Sequence, residues 1–186
     1  GEIWGYKTDG LFQNDADITN DLSALGNNWK AGDLNYRDTD GNGIVEPGNN
    51  TLANPGDRGV IGNSSLRYRF GINIDLRYKN WSLNTFFQGI LKGDYFPPTG
   101  NWNAFWPWNA GNAEWYYITD SWSPTNRDAY FPGPHIGYND KKNYSVNDRY
   151  LQDASYIRLK QLTLNYKVPA DIVSQIGVRS LNIYYS

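Results

Sequence analysis

The chain has 186 residues, no cysteine, one histidine and a formal net charge of -2. These figures exclude disulfides, thiolate chemistry and two-histidine zinc sites, and they give no general case for nucleic-acid binding. Aromatic residues make up 16% of the chain, yet its mean hydropathy is -0.69 and no apolar run reaches the eighteen or so residues of a transmembrane helix.

From the N-terminus, residues 2–12 are short, aromatic and broken by glycine, and predict the upper end of a strand leading into a loop. Residues 13–65 form a long Asp/Asn-rich connection in which one or two helical turns are expected over 17–25. Up to Ser65 the acids far outnumber the bases, which suits cation binding. Asp38, Asp40 and Asn42, followed by Gly43, match the first half of an EF-hand-type calcium loop. Alternate positions of one tight turn supply carboxylate and amide oxygens to hard Ca²⁺, the Ile44 carbonyl serves at position seven and Glu46 lies at position nine. Asn49 stands where a bidentate Glu would close the shell, so a remote ligand is needed, with Asp33 and Asp57 as candidates. The competing reading is an ordinary Asp/Gly turn.

Residues 66–78 alternate without a fault. Leu66, Tyr68, Phe70, Ile72, Ile74, Leu76 and Tyr78 share one face, and Arg67, Arg69, Gly71, Asn73, Asp75 and Arg77 share the other. Period two is a strand pattern. Lys79-Asn80 is a two-residue break, after which residues 81–95 resume the alternation. Each arm is about twice the usual strand of five or six residues and long enough to cross a bilayer, for which roughly 9–11 residues suffice. The apolar residues would face lipid and the polar ones a lumen, with Tyr68, Tyr78 and Trp81 as interfacial aromatics.

Residues 96–150 form a second long connection, crowded with rings. A short helix is expected over 114–122, with most rings packed on each other and Trp115 and Trp122 inside. Trp106 and Trp108, beside Pro107, are the rings expected to stay exposed and to meet cargo or a partner. Strands follow at 151–168 and 180–186, separated by a short turn with one helical turn near 171–175. Long and short connections alternate along the chain, which is the plan of an outer-membrane barrel. The expected fold is all-β: an antiparallel transmembrane β-barrel segment of five strands, an open meander within a larger barrel, with extracellular loops at 13–65 and 96–150. Unpaired strand edges are excluded in lipid, so the remaining strands must come from elsewhere.

Enzyme chemistry finds little support. His135 sits in a turn-like Gly133-Pro134-His135 setting with no Ser-bearing nucleophile elbow nearby. The remaining alternative is a secreted, calcium-stabilised carbohydrate-binding β-module.

Several runs resemble the C-terminal part of SusC/RagA-family TonB-dependent transporters: Gly5-Tyr6-Lys7-Thr8-Asp9-Gly10-Leu11-Phe12, Gly32-Asp33-Leu34-Asn35-Tyr36, Arg37-Asp38-Thr39-Asp40-Gly41-Asn42-Gly43, Tyr78-Lys79-Asn80-Trp81-Ser82-Leu83, Asp120-Ser121-Trp122-Ser123-Pro124, and Asp153-Ala154-Ser155-Tyr156-Ile157-Arg158-Leu159. They lie in the family's order and cover the chain (1–186) nearly end to end. The resemblance implies a barrel of about 22 strands with an N-terminal plug, set in the outer membrane of a Gram-negative bacterium. It further implies a SusD-like surface lipoprotein as partner, energy from TonB, and glycans or oligopeptides as cargo.

Overall fold

The computed structural model describes residues 1–97, 115–134 and 142–186. In chain order the strands are β1 (Glu2–Tyr6), β2 (Thr8–Leu11), β3 (Leu34–Tyr36), β4 (Arg58–Asn63), β5 (Arg67–Tyr78), β6 (Trp81–Lys92), β7 (Asp94–Tyr95), β8 (Gln152–Asp153), β9 (Tyr156–Lys167) and β10 (Asn182–Tyr185). Two short helices, α1 (Trp115–Thr119) and α2 (Ala170–Ser174), complete the regular structure with brief 3-10 turns at Asp15–Asp17 and Lys142–Tyr144. The chain divides into a loop unit, Gly1–Ser64 with Asp94–Gln152, and a sheet unit, Ser65–Gly93 with Asp153–Ser186.

The sheet unit is one antiparallel layer in the order β5-β6-β9-β10. Its three long strands have twelve residues each. Register carries the alternation across the sheet. Ile72 pairs with Phe87, Ile74 with Thr85, Leu76 with Leu83 and Tyr78 with Trp81. On the far side of β6, Leu162, Leu164 and Tyr166 stand opposite Thr85, Leu83 and Trp81. Ile72, Ile74, Leu76, Leu162 and Leu164 nevertheless remain exposed. A contiguous apolar face left uncovered by protein is what lipid-facing strands present. Tyr68 and Tyr78, 68% and 69% exposed, bracket it at the two ends of β5. They are ten positions apart, so the strand between them is about 34 Å long, or about 26 Å of height at a typical barrel tilt of about 40°. That height matches the apolar band of an outer-membrane barrel.

The opposite face is wet. Asn84 Nδ2 donates to Asp75 Oδ1 at 2.5 Å and Gln161 Nε2 to Thr163 Oγ1 at 3.3 Å. Glycine marks close approaches on both faces. A Cβ on Gly89 would fall 2.5 Å from the Phe70 ring, and one on Gly71 would fall 3.0 Å from the Phe86 ring, so each aromatic lies over a glycine.

A bulge in β9 is essential to the facing. Ile157 and Leu159 are odd-numbered, whereas Leu162, Leu164 and Tyr166 are even, so a regular strand would send the two groups to opposite faces. The register instead steps from Phe86↔Gln161 to Phe87↔Leu159. Lys160 is the extra residue, and it returns all five side chains to the apolar face.

Both short connections leave one end of the sheet. Lys79 turns with φ 51°, while Asn80 accepts from the Lys167 amide at 2.8 Å and donates its own Nδ2 to the Lys167 carbonyl at 2.8 Å. The segment holding α2 closes beside it through Val168 N to Leu181 O at 2.9 Å. The long segments join at the other end.

The loop unit contains the first sequence-predicted strand, and here the five-strand meander needs correcting. Residues 2–12 break at Lys7. β1 pairs with β4 (Glu2↔Asn63 to Tyr6↔Arg58) and β2 with β3 (Thr8↔Tyr36, Leu11↔Leu34), so neither joins β5 and the meander has four strands. The expected helical turns at 17–25 reduce to the 3-10 turn at Asp15–Asp17 and a turn at 23–25. Trp115, expected inside, is 76% exposed. With a single turn of α1 to pack, Tyr117 takes the inward position against Phe131 at 5.2 Å between centroids. Trp122 does pack on the core, lying over Gly32, where a Cβ would fall 2.5 Å from its ring.

At the heart of this unit Asp33 and Lys142, both fully buried, form an ion pair of 2.8 Å. Lys142 also donates to the Asn28 carbonyl at 2.7 Å and lies 5.5 Å from the Trp29 ring centroid. Asp33 accepts from Lys30 N and Asn143 Nδ2, and Asn143 Oδ1 in turn accepts from Leu34 N. Tyr36, fully buried, donates its hydroxyl to the Lys142 carbonyl, and burial pushes its ionisation well above the ordinary tyrosine range.

Two outcomes are expected in the full-length protein. Ile74→Arg, near the middle of β5, should lower stability in lipid vesicles by about 2–4 kcal/mol, with Asp75→Asn far milder. Urea unfolding from vesicles checks this, and equal tolerance at the two positions contradicts the facing. Lys142→Met removes one partner of a buried pair, worth about 3–5 kcal/mol. Hydrogen exchange at the Leu34 amide should therefore accelerate roughly a hundredfold or more, and unchanged exchange would show the pair to be dispensable.

Candidate functional site

The calcium-type loop follows β3. Gly41 and Gly43 adopt φ 76° and 83°, the left-handed values that glycine permits without strain, and so fold residues 38–44 back on themselves. Asp38 accepts from the amides of Gly41 and Gly43, each at 2.7 Å. The Gly43 amide, foremost among several, holds its carboxyl below the usual carboxylate range. Asp40 accepts from Asn42 N and Nδ2, both at 3.0 Å, and Asn42 Oδ1 accepts from Ile44 N at 2.7 Å. Backbone bonds from Asp21 N to Gly43 O and from Val45 N to Asp21 O, each 2.8 Å, fasten the turn to the chain upstream.

Asp57 reaches the same place from 19 residues downstream of Asp38. It is 2% exposed and accepts from Thr39 N at 2.6 Å, Thr39 Oγ1 at 3.1 Å and Glu46 N at 2.8 Å. Carboxylate oxygens of Asp38, Asp40 and Asp57 all lie within 4.8 Å of one another. At calcium–oxygen distances of about 2.3–2.6 Å, opposite ligands of one ion stand roughly 5 Å apart, so that spacing suits a shared cation. Of the two remote ligands weighed from sequence, Asp57 is therefore in place. Asp33 is elsewhere, held by Lys142. Glu46 is outside the three-carboxylate group, and its amide rather than its carboxylate is engaged with Asp57.

A polar cleft of about 360 Å³ adjoins the loop, lined among others by Asp9, Asp17, Asn20, Asn35, Arg37 and Asp38. Arg37 and Asp9 form a close ion pair at its rim, and the Arg37 hydrogen bond holds the Asp9 carboxyl below its ordinary value. Sequence reasoning did not single out this cleft, because its residues come from two stretches, 9–20 and 35–38, that meet only in the folded chain. Trp106, Trp108 and His135 lie outside the described residues.

Comparison with models of known protein families finds none that matches this chain. Among curated proteins, TonB-dependent receptor P3 of Formosa agariphila is 28% identical over 186 residues, covering 100% of this chain and 17% of that protein. TonB-dependent receptor P26 of the same organism is 27% identical over 181 residues, covering 97% of this chain and 17% of that protein. The chain thus spans about a sixth of the length of the relatives it matches. Among solved structures, the RagAB peptide importer in its open-open state superimposes with a TM-score of 0.58 at 16% identity, over 98% of this chain and 18% of that one. These relatives are named for reception and import rather than for catalysis.

Proposed function

We propose that this chain, a segment of a SusC/RagA-like TonB-dependent receptor, builds part of a barrel that imports glycans or oligopeptides across the outer membrane of a Gram-negative bacterium. The observation that carries the reading is the sheet of β5, β6, β9 and β10. It has transmembrane length, one exposed apolar face, one hydrogen-bonded polar face, and both short connections at the same end. A secreted carbohydrate-binding module would need that apolar face covered by a second layer. The exposed side chains of Ile72, Leu76, Ile157 and Leu164 speak against it.

In this reading the apolar face meets lipid and the polar face lines the lumen. The edges of β5 and β10 pair with further strands of the receptor, since lipid offers their free amides and carbonyls no partner. The loop unit stands on the cell exterior, where a SusD-like lipoprotein closes over the barrel, and TonB acts through the receptor's N-terminal region. Trp106 and Trp108 are the rings assigned to cargo or lipoprotein contact. In the full-length receptor, changing each to Ala should reduce uptake. Lid association measured separately tells the roles apart: uptake lost with the lid retained marks a cargo contact, and loss of both marks a partner contact. Normal uptake and normal association would reduce both rings to packing.

The loop at Asp38, Asp40, Asn42, the Ile44 carbonyl and Glu46, joined by Asp57, is the proposed calcium site, and its role is to stiffen the loop unit. Three clustered carboxylates repel one another, and a divalent cation relieves that repulsion while satisfying oxygens directed inward. Calcium should raise the melting temperature of the parent receptor, and Asp40→Ala should lower it only when calcium is present. A parent melting temperature indifferent to calcium would leave an amide-capped Asp/Gly turn.

A further inference from the structure

The charges of the chain are partitioned between its units. The sheet unit has nine Lys and Arg against three Asp, whereas the chain as a whole is slightly acidic. On the polar face of the long strands the imbalance is sharper still: Asp75 is the only acid there. Near the end where the long segments join, the rows run Arg67↔Lys92, then Arg69↔Ile90↔Tyr156, then Gly71↔Gln88↔Arg158, then Asn73↔Phe86↔Gln161. Asp75 lies three rows from Arg69 and accepts from Asn84. Among the described residues, Arg69, Lys92 and Arg158 form no ion pair with a carboxylate. All three are exposed. Cations gathered on a wet wall repel one another and raise the local concentration of anions, which favours an anionic ligand there.

The groups between the cations narrow the ligand further. The Phe86 ring lies over Gly71 on this face, and Tyr156 lies one strand away with the Arg158 guanidinium 5.0 Å from its ring centroid. Arg69 and Arg158 stand on opposite sides of β6, two strand spacings across and one row along, roughly 12 Å apart. Gln88, Asn73 and Gln161 supply amides that both donate and accept. Flat apolar ring faces suit the C–H face of a sugar, the amides suit its hydroxyls, and the cations suit carboxylate or sulfate substituents. An Arg cluster also serves acidic peptide motifs, but the ring faces and the amides set between these cations match a sugar ring and its hydroxyls, and tetraglutamate serves below as the peptide control.

We propose that Arg69, Lys92 and Arg158, set around Phe86 and Tyr156, form a lumenal subsite for an acidic saccharide, so that the cargo of this transporter carries carboxylate or sulfate groups. The proposal rests on the transport reading and on the polar face lining the lumen. Shared recognition of a small anion on a sugar ring covers both substituents, which the test separates.

The test uses the full-length receptor purified in detergent, with binding measured calorimetrically at low and high salt. The probes are tetragalacturonate, a sulfated galactan tetrasaccharide, maltotetraose as neutral control, and tetraglutamate as peptide control. At least one acidic saccharide should bind more tightly than maltotetraose, and its affinity should fall with salt as screening sets in. Whichever binds identifies carboxylate or sulfate as the preferred group. The triple variant R69Q/K92Q/R158Q should weaken that binding tenfold or more without changing maltotetraose binding. R69K/R158K, which keeps the charges, should stay within about threefold of the parent, and so separates lost charge from lost folding. Phe86→Ala should weaken saccharide binding as well.

Failure of both acidic saccharides to bind, or equal affinity for maltotetraose, overturns the proposal, as does an unaffected triple variant. Binding of tetraglutamate in place of both saccharides replaces the saccharide with an acidic peptide and overturns it too. TonB-dependent uptake of a neutral cargo by the same receptor would remove this subsite and leave the transport reading standing. A receptor absent from the outer membrane would remove both.

Discussion

Every buried or lipid-facing backbone amide and carbonyl must find a partner, and this requirement shapes both halves of the molecule. In the sheet unit the partners are other strands. Three twelve-residue strands satisfy one another through continuous ladders, and among the described residues no further strand pairs with the outer edges of β5 and β10. In the loop unit regular ladders are short, so carboxylates do the same work. Asp33 takes the Lys30 amide, Asp38 those of Gly41 and Gly43, Asp57 those of Thr39 and Glu46, and Asp94 that of Asn63. The acidity of the first third of the chain is thus largely structural: its aspartates replace the strands that a long loop lacks.

Carboxylates used in this way need compensation, and the compensation differs with depth. Asp33 is fully buried and is answered by the ammonium of Lys142, brought from more than 100 residues away and itself fully buried. Such a pair contributes less net stability than its attraction suggests, because both charges have lost their water. The pair joins segments more than 100 residues apart in the chain, and removing either partner would strand the other charge in the core. Asp38 and Asp40 are nearer the surface, where the backbone amides of Gly41, Gly43 and Asn42 supply the compensation.

The sheet unit illustrates how a small local irregularity sets a global property. Without the bulge at Lys160, β9 would present Ile157 and Leu159 to the polar face and polar residues to the apolar one at one end of the strand. The bulge adds one residue to one strand and restores a single apolar face. The same face explains the paired rings at the short-connection end, where Trp81 and Tyr166 lie 4.6 Å apart and Tyr78 stands beside Trp81. Rings with a polar edge suit the boundary between hydrocarbon and headgroup.

Features that depend on near neighbours were legible before folding was considered. The alternation of residues 66–78 fixed a strand, its length and its two faces, Lys79-Asn80 fixed the turn, and the spacing of Asp38, Asp40, Asn42 and Gly43 fixed a tight oxygen-rich loop, since each needs only local geometry. Tertiary structure alone decided what depends on partners distant in the chain. Residues 2–12 read as one strand, but β4 and β3 claim its two parts. Ile157 and Leu159 occupy odd positions of β9 and Leu162, Leu164 and Tyr166 even ones, and only pairing with β6 shows that they are one face. Asp33 and Asp57 were equivalent as remote ligands, because a sequence does not say which loop folds back on which. In the folded chain Lys142 pairs with Asp33, and Asp57 stands beside Asp38 and Asp40.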